Sequence, residues 1–179
     1  VAMTTQINQL TGASPTYASV NSTTVIWNRA DSTTGTTAIP TPTSTGTNFS
    51  WTKTFQMEIT VTAGLTMTNI LVGKVTAEAD AVALKLWRYT GHAVGAYVQA
   101  SAPPTATGDN NVTAPTINGA TGVAFELISA PPSAYAAGGF SSVAKVGNLV
   151  EVVLGVSATN ATAGTAVSCP SLRWSWTEA

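Results

Sequence analysis

The chain has 179 residues, of which 8% are charged and 44% hydrophobic, and its formal net charge is -1. This near-neutrality leaves no basic footprint for nucleic acid and no cationic cluster to hold an anionic membrane surface, so neither is expected as a partner. Cys169 is the only cysteine, which excludes an intrachain disulfide and suits a small buried hydrophobe.

The length fits a single domain. No run approaches the ~18 apolar residues of a membrane span, and the first residues lack the charged and apolar regions of a signal peptide. Soluble domains average about 25% charged residues; here Thr, Ser, Ala and Gly stand in their place. So little surface charge protects poorly against association, which points to an assembly rather than a free monomer.

Residues 1–24 are polar and weakly periodic, with Gly12 and Pro15 as punctuation. They read either as an N-terminal arm that reaches a neighbour or as a strand tied to the edge of the chain's own sheet. A single β-sandwich domain over residues 25–179 follows. Residues 25–28 carry a short strand signature, and residues 31–48, rich in Thr and broken by Pro40 and Pro42, form a long exposed loop.

The strongest periodicity lies in residues 49–61. Phe49, Trp51, Phe55, Met57, Ile59 and Val61 alternate with Ser50, Thr52, Thr54, Gln56, Glu58 and Thr60, the period of a half-buried β-strand. Only Lys53 interrupts the apolar row. Ala63 and Gly64 then make a turn into a second strand over residues 67–75, as in a hairpin or a corner between sheets.

Residues 84–89 form a further strand, with Leu84 and Leu86 on one face and Lys85, Trp87 and Tyr89 on the other; residues 97–100 are a short continuation. Residues 101–122 are turn-rich and give a second long loop. Residues 122–129 fit a short strand or a helical turn, and the glycine pair at 138–139 disfavours a helix between Pro132 and Lys145. Residues 146–156 form the other strong strand, apolar in both of its rows and therefore covered on both sides. Leu172, Trp174 and Trp176 share one face of a terminal strand. With six to eight strands and no convincing helix, the fold class is all-β: a β-sandwich of Greek-key or jelly-roll type with long loops and an N-terminal arm.

Catalysis needs a nucleophile with its base, paired carboxylates or a metal site. His92 is the single histidine, so a multi-histidine metal cluster is impossible, and its Thr-Gly-His-Ala setting reads as a turn. The carboxylates are scattered; two from different strands could meet as in a glycosidase, and Glu58 and Glu151, on the two strong strands, are the least implausible pair, but they read better as solvated outer-face residues. The 109–111 segment (Asp-Asn-Asn) and the Glu78-Ala-Asp80 segment lack the ligand spacing of a calcium loop. No catalytic, metal or cofactor-binding residue is therefore expected. Among the five tryptophans, Trp87 fits an outer face, and with Tyr89 it makes a candidate ligand platform for stacking on sugar rings.

The aromatic strand at residues 49–62, the Met-Thr-Asn-Ile that begins at Met67 and the closing Leu-Arg-Trp-Ser-Trp-Thr-Glu of residues 172–178 resemble the layout of tailed-bacteriophage virion structural proteins. The likeness in type is greatest to the head decoration, or cement, proteins. It implies a non-enzymatic β-rich protein on the outer capsid surface of a virion, bound to the major capsid protein in many copies, as a homo-oligomer and by preference a trimer. No catalytic residue carries over from it. The other function compatible with the sequence is a carbohydrate-binding or adhesive module of a phage tail, fibre or cell surface that uses Trp87 and Tyr89.

Overall fold

The computed structural model describes residues 2–21, 25–34, 37–42, 46–78, 84–92, 97–104, 116–117, 120–124, 139–158 and 169–179. Every regular element among them is a strand: β1 (Thr4–Thr11), β2 (Thr16–Ser19), β3 (Thr47–Phe49), β4 (Lys53–Val61), β5 (Met67–Lys74), β6 (Leu84–His92), β7 (Thr116–Ile117), β8 (Ala120–Thr121), β9 (Val123–Ala124), β10 (Ala144–Ser157) and β11 (Leu172–Glu178). Seven of them form one antiparallel sheet in the order β2-β1-β4-β10-β6-β9, with β3 also paired to β10. A ribbon of β5 and β11 and a short ribbon of β7 and β8 complete the set. This order does not by itself define a Greek key or a jelly roll.

The core lies between the large sheet and the β5–β11 ribbon. Phe55, Met57 and Ile59 of β4, Val150, Val152 and Leu154 of β10, and Leu86 of β6 are buried together with Met67, Ile70 and Val72 of β5. Burying each such side chain stabilises the fold by about 1.5–3 kcal/mol. Trp174 of β11 meets Phe55 edge to face, with ring centroids 6.1 Å apart, and Trp27, Leu172 and Trp176 pack against the same cluster. This sandwich-like packing is what the alternation in β4, β10 and β11 requires.

The N-terminal residues are an integral hairpin of the sheet. β1 pairs with β4 from Thr4 to Leu10 and with β2 from Asn8 to Thr11, and Met3 and Leu10 are buried. Of the two readings of this segment, the tied strand holds and the projecting arm does not; β2, not β1, is the edge. Residues 25–28 and 97–100, expected to be strands, carry no ladder. Instead Val25 and Trp27 fill the flank of the core.

The single strand expected at residues 49–61 is two strands in line against β10. Phe49 pairs with Gly155 and Lys53 with Val152, so three residues, 50–52, face the two residues 153–154. The extra residue is a bulge, and it reverses the alternation. Phe55, Met57 and Ile59 keep the core face, while Phe49 packs on the opposite side, against the backbone of Gly155. Ser50 secures the break, its N–H donating to Leu154 O at 2.8 Å and its Oγ accepting from Leu154 N at 3.0 Å.

A second irregularity in β10 preserves alternation. Val146 pairs with Met57 and Val150 with Phe55, so two extra residues are accommodated and both valines stay in the core. Gly147 takes φ 73° there, a left-handed conformation in which a Cβ would be strained.

An added Cβ on Gly155 would lie 3.0 Å from Phe49 Cε1 and 3.1 Å from Thr47 Cγ2. With Phe49 only 3% exposed, the ring has little room to yield. Gly155→Val should therefore destabilise the fold by roughly 1–3 kcal/mol in chemical denaturation, and far less in a Phe49→Ala background. Equal costs in the two backgrounds would contradict the assigned packing.

Candidate functional site

A densely bonded polar group among the described residues is Lys53, at the start of β4. It continues the apolar row of Phe55, Met57 and Ile59, and it is 1% exposed. Its Nζ donates to Asn28 Oδ1 at 2.9 Å, Ala30 O at 2.9 Å and Ser32 O at 2.8 Å. Three ammonium hydrogens thus meet three acceptors, the arrangement that makes a buried cation tolerable.

The loop that supplies those acceptors is tied further. Trp51 N donates to Asn28 O at 2.7 Å, and Asp31 Oδ2 accepts from Gly12 N at 2.8 Å and Gln99 Nε2 at 2.6 Å. One node therefore joins the bulge, the loop at 28–32, the β1–β2 turn and the 97–100 segment. Burial pushes the Lys53 pKa down to about 8, while the negative charge of Asp31 pulls it back up. Burial, with the charges of Asp31 and Glu151, pushes Tyr97 up to about 12. With its three hydrogens bonded, Lys53 offers no lone pair at neutral pH and serves as a staple rather than a nucleophile.

The two carboxylates weighed as a pair share the sheet face opposite the core, but Glu58 pairs with Lys145 and Glu151 with Thr54, so their backbone positions lie four residues apart along β4, on the order of 13 Å. Glu58 Oε2 accepts from Gln6 Nε2 at 2.9 Å and Asn8 Nδ2 at 2.8 Å, whereas Glu151 is buried. The expectation that both are solvated outer-face residues thus fails for Glu151, because the sheet face opposite the core is also covered.

Glu78 is buried, bonded to Lys74 Nζ and to Leu86 N. Burial opposes its ionisation, but these donors outweigh it and hold its pKa below the ordinary carboxylate value. Burial, and the charge of Glu78, push the Cys169 thiol up, so it is a poor nucleophile. His92 ends β6 in register with Leu149 instead of occupying a turn. Asp80 and residues 109–111 lie outside the described residues. Among the described residues no three His, Cys, Asp or Glu side chains gather to hold a metal.

The aromatic platform is displaced. Trp87 is 7% exposed, and Lys85 Nζ lies 4.9 Å from its ring centroid. Strand parity does put Trp87 opposite Leu86, but at this position both sheet faces are covered, so the ring is not open to a sugar. Tyr89 lies in β6, and its side chain is outside the described residues. Among the described residues the exposed aromatic is Tyr17 of β2, 42% exposed, with Lys145 Nζ 4.3 Å from its ring centroid. Nothing in the polar sequence around Tyr17 singles it out; only its place on the outermost strand does.

Compared with known proteins, the chain matches no family model, no curated protein and no solved structure.

The Lys53 staple makes a prediction with a definite sign. Its pKa is lower folded than unfolded, so between pH 8 and the unfolded value of 10.5 the unfolded chain binds more protons and stability rises with pH through that window. Lys53→Met takes the ammonium from all three acceptors; Asn28 Oδ1 keeps the Ala30 N–H and Ala30 O keeps the Ser32 N–H, but Ser32 O loses its donor, and the change should cost about 1–3 kcal/mol at neutral pH. The deficit relative to the natural chain should widen when urea melts are repeated near pH 10, where a constant deficit would contradict the assignment. Amide exchange at Gly12 and residues 28–34 should quicken in the variant.

Proposed function

We propose that this chain is a non-enzymatic structural protein of a virion that binds the outer face of a capsid lattice in many copies and stabilises it. The observation that carries the reading is the disposition of charge. Lys and Arg number seven and Asp and Glu eight, and of these Lys53, Glu78, Arg88 and Glu151 are buried. The exterior is left poorer in charge than the composition alone implies, while Tyr17, Val61, Val98 and Val143 stand 42–62% exposed. Such a surface presents little desolvation cost and little repulsion to a neighbour. The sequence likeness to decoration proteins supplies the kind of neighbour, a major capsid protein.

Stabilisation in this reading is multivalent. Weak contacts repeated across adjacent capsid subunits make release slow, and binding to assembled capsid alone shifts the equilibrium toward assembly. The loops at 31–48 and 101–120 are the candidate contact segments. The base of the first is held by Lys53 and by Asn48 Nδ2, which donates to Pro40 O at 2.7 Å, so its described ends are tied before docking and lose less entropy there. Residues 1–24 leave the list of detachable contact arms, because β1 is an inner strand of the sheet; removing them would unfold the domain. The carbohydrate-binding alternative loses support with the burial of Trp87, because stacking needs an open ring face.

Density-gradient banding of native particles, followed by quantitative mass spectrometry against the major capsid protein, tests the proposal. The expected copy ratio is near one or a simple fraction of it. A few copies per particle, or none, would contradict binding to the lattice.

A further inference from the structure

The outermost strand of the large sheet, β2, has a self-complementary edge. Its ladder with β1 fixes which backbone groups face outward. Val20 N donates to Ile7 O at 2.8 Å, in line with the register that pairs Ala18 with Gln9 and Thr16 with Thr11. Hydrogen-bonded positions alternate along an antiparallel pair, so Thr16, Ala18 and Val20 turn their N–H and C=O groups toward β1. Tyr17 and Ser19 turn theirs away from it. Among the described residues no backbone partner meets those four groups, and Thr16, Tyr17 and Ser19 are exposed.

Elsewhere the same hairpin is protected. Beyond the end of β2, the free edge of β1 is closed by the Asn21 side chain, whose Oδ1 accepts from Ile7 N at 2.6 Å and whose Nδ2 donates to Thr5 O at 3.1 Å. Among the described residues the β2 edge has no such side-chain guard; edge strands are ordinarily defended by charge, and β2 itself carries none, although Lys145 Nζ of β10 lies 4.3 Å from the Tyr17 ring centroid. The first 28 residues contain no Asp, Glu, Lys or Arg.

We propose that β2 pairs antiparallel with β2 of a second copy about a two-fold axis at Ala18, joining two large sheets into one. In that register Tyr17 faces Ser19 of the second copy, and each exchanges N–H···O=C bonds with the other. Two-fold symmetry repeats the exchange, giving four bonds. Ala18 meets Ala18 of the second copy at the closely spaced, non-hydrogen-bonded position, where a small side chain permits the approach. The two Tyr17 rings stand on one face, diagonal across the axis, within reach of each other. Pro15, the next outward position, has no N–H and ends the ladder.

The contact is short and therefore reversible, and it builds a dimer, not the trimer implied by the likeness to decoration proteins. It does not depend on the capsid proposal, since it concerns the isolated chain. Sedimentation velocity on the full chain over a wide concentration series should show monomers converting to dimers. Hydrogen exchange at the Tyr17 and Ser19 amides should slow as dimers form.

Ser19→Pro removes an outward donor without touching a bond to β1. It should weaken dimerisation by about tenfold or more while leaving the thermal melt of the monomer nearly unchanged. Tyr17→Lys, which sets a charge on the edge, should act likewise and decides the matter if Ser19→Pro does not fold. A chain that stays monomeric at the highest concentration, a trimer, or a dimer indifferent to the edge variants with fast exchange at Tyr17 and Ser19 would each overturn the proposal.

Discussion

A buried ammonium sets the terms for this fold. Taking the Lys53 charge out of water costs several kcal/mol, and the convergence of Asn28 Oδ1, Ala30 O and Ser32 O, with the negative charge of Asp31, offsets it. Those acceptors lie on an irregular loop, so the charge dictates that loop's path. Asn28 in turn receives the Trp51 N–H at the bulge, and Asp31 reaches the β1–β2 turn and Gln99. The consequence is that a segment with no ladder of its own is tied to three neighbouring elements, and the flank of the core beneath it is closed by Trp27 and Ile39.

The second organising constraint is that the large sheet is covered on both faces. β10 buries Val150, Val152 and Leu154 toward the β5–β11 ribbon, and Leu149, Glu151 and Val153 on the other side. That second face is mixed in character. Leu10, Phe49 and Trp87 are buried at its flanks, while Asn8, Thr54, Gln56 and Glu151 are buried toward its centre. Across this face Gln6 and Asn8 bond to Glu58, while Gln56 Nε2 is buried with no hydrogen-bond partner among the described residues. The geometry favours fixed spacing between strands over a reactive cleft, and it leaves interaction to the sheet edge and the loops.

The sequence shows the strands whose two faces differ or are both apolar. β5, β6, β10 and β11 stand close to where alternation puts them, and Ala63 takes the positive φ expected of a turn beside Gly64. β1 is hidden because Gln, Asn and Thr occupy both of its faces, and β2, Thr-Tyr-Ala-Ser, is too short and polar to show a period; tertiary pairing supplies the order that propensity does not. The split at 50–52 is equally silent, since a bulge is fixed by the register of β10 a hundred residues away. Lys53 stands out as the one break in an apolar row, but its acceptors, more than twenty residues upstream, carry no local signature. Alternation puts Trp87 on the side of β6 opposite Leu86, where it stands; its burial follows from what covers that side, which alternation cannot report.

The claim on which the functional account rests is that this domain is a repeating element of a capsid exterior. A cryo-electron microscopy reconstruction of virions from the source that encodes the chain tests it most directly. The account predicts sandwich-shaped density of this fold at regular positions over the capsid subunits, with the loop at 31–48 turned toward them. An outer lattice fully explained by other proteins, with no density for this domain, would contradict it.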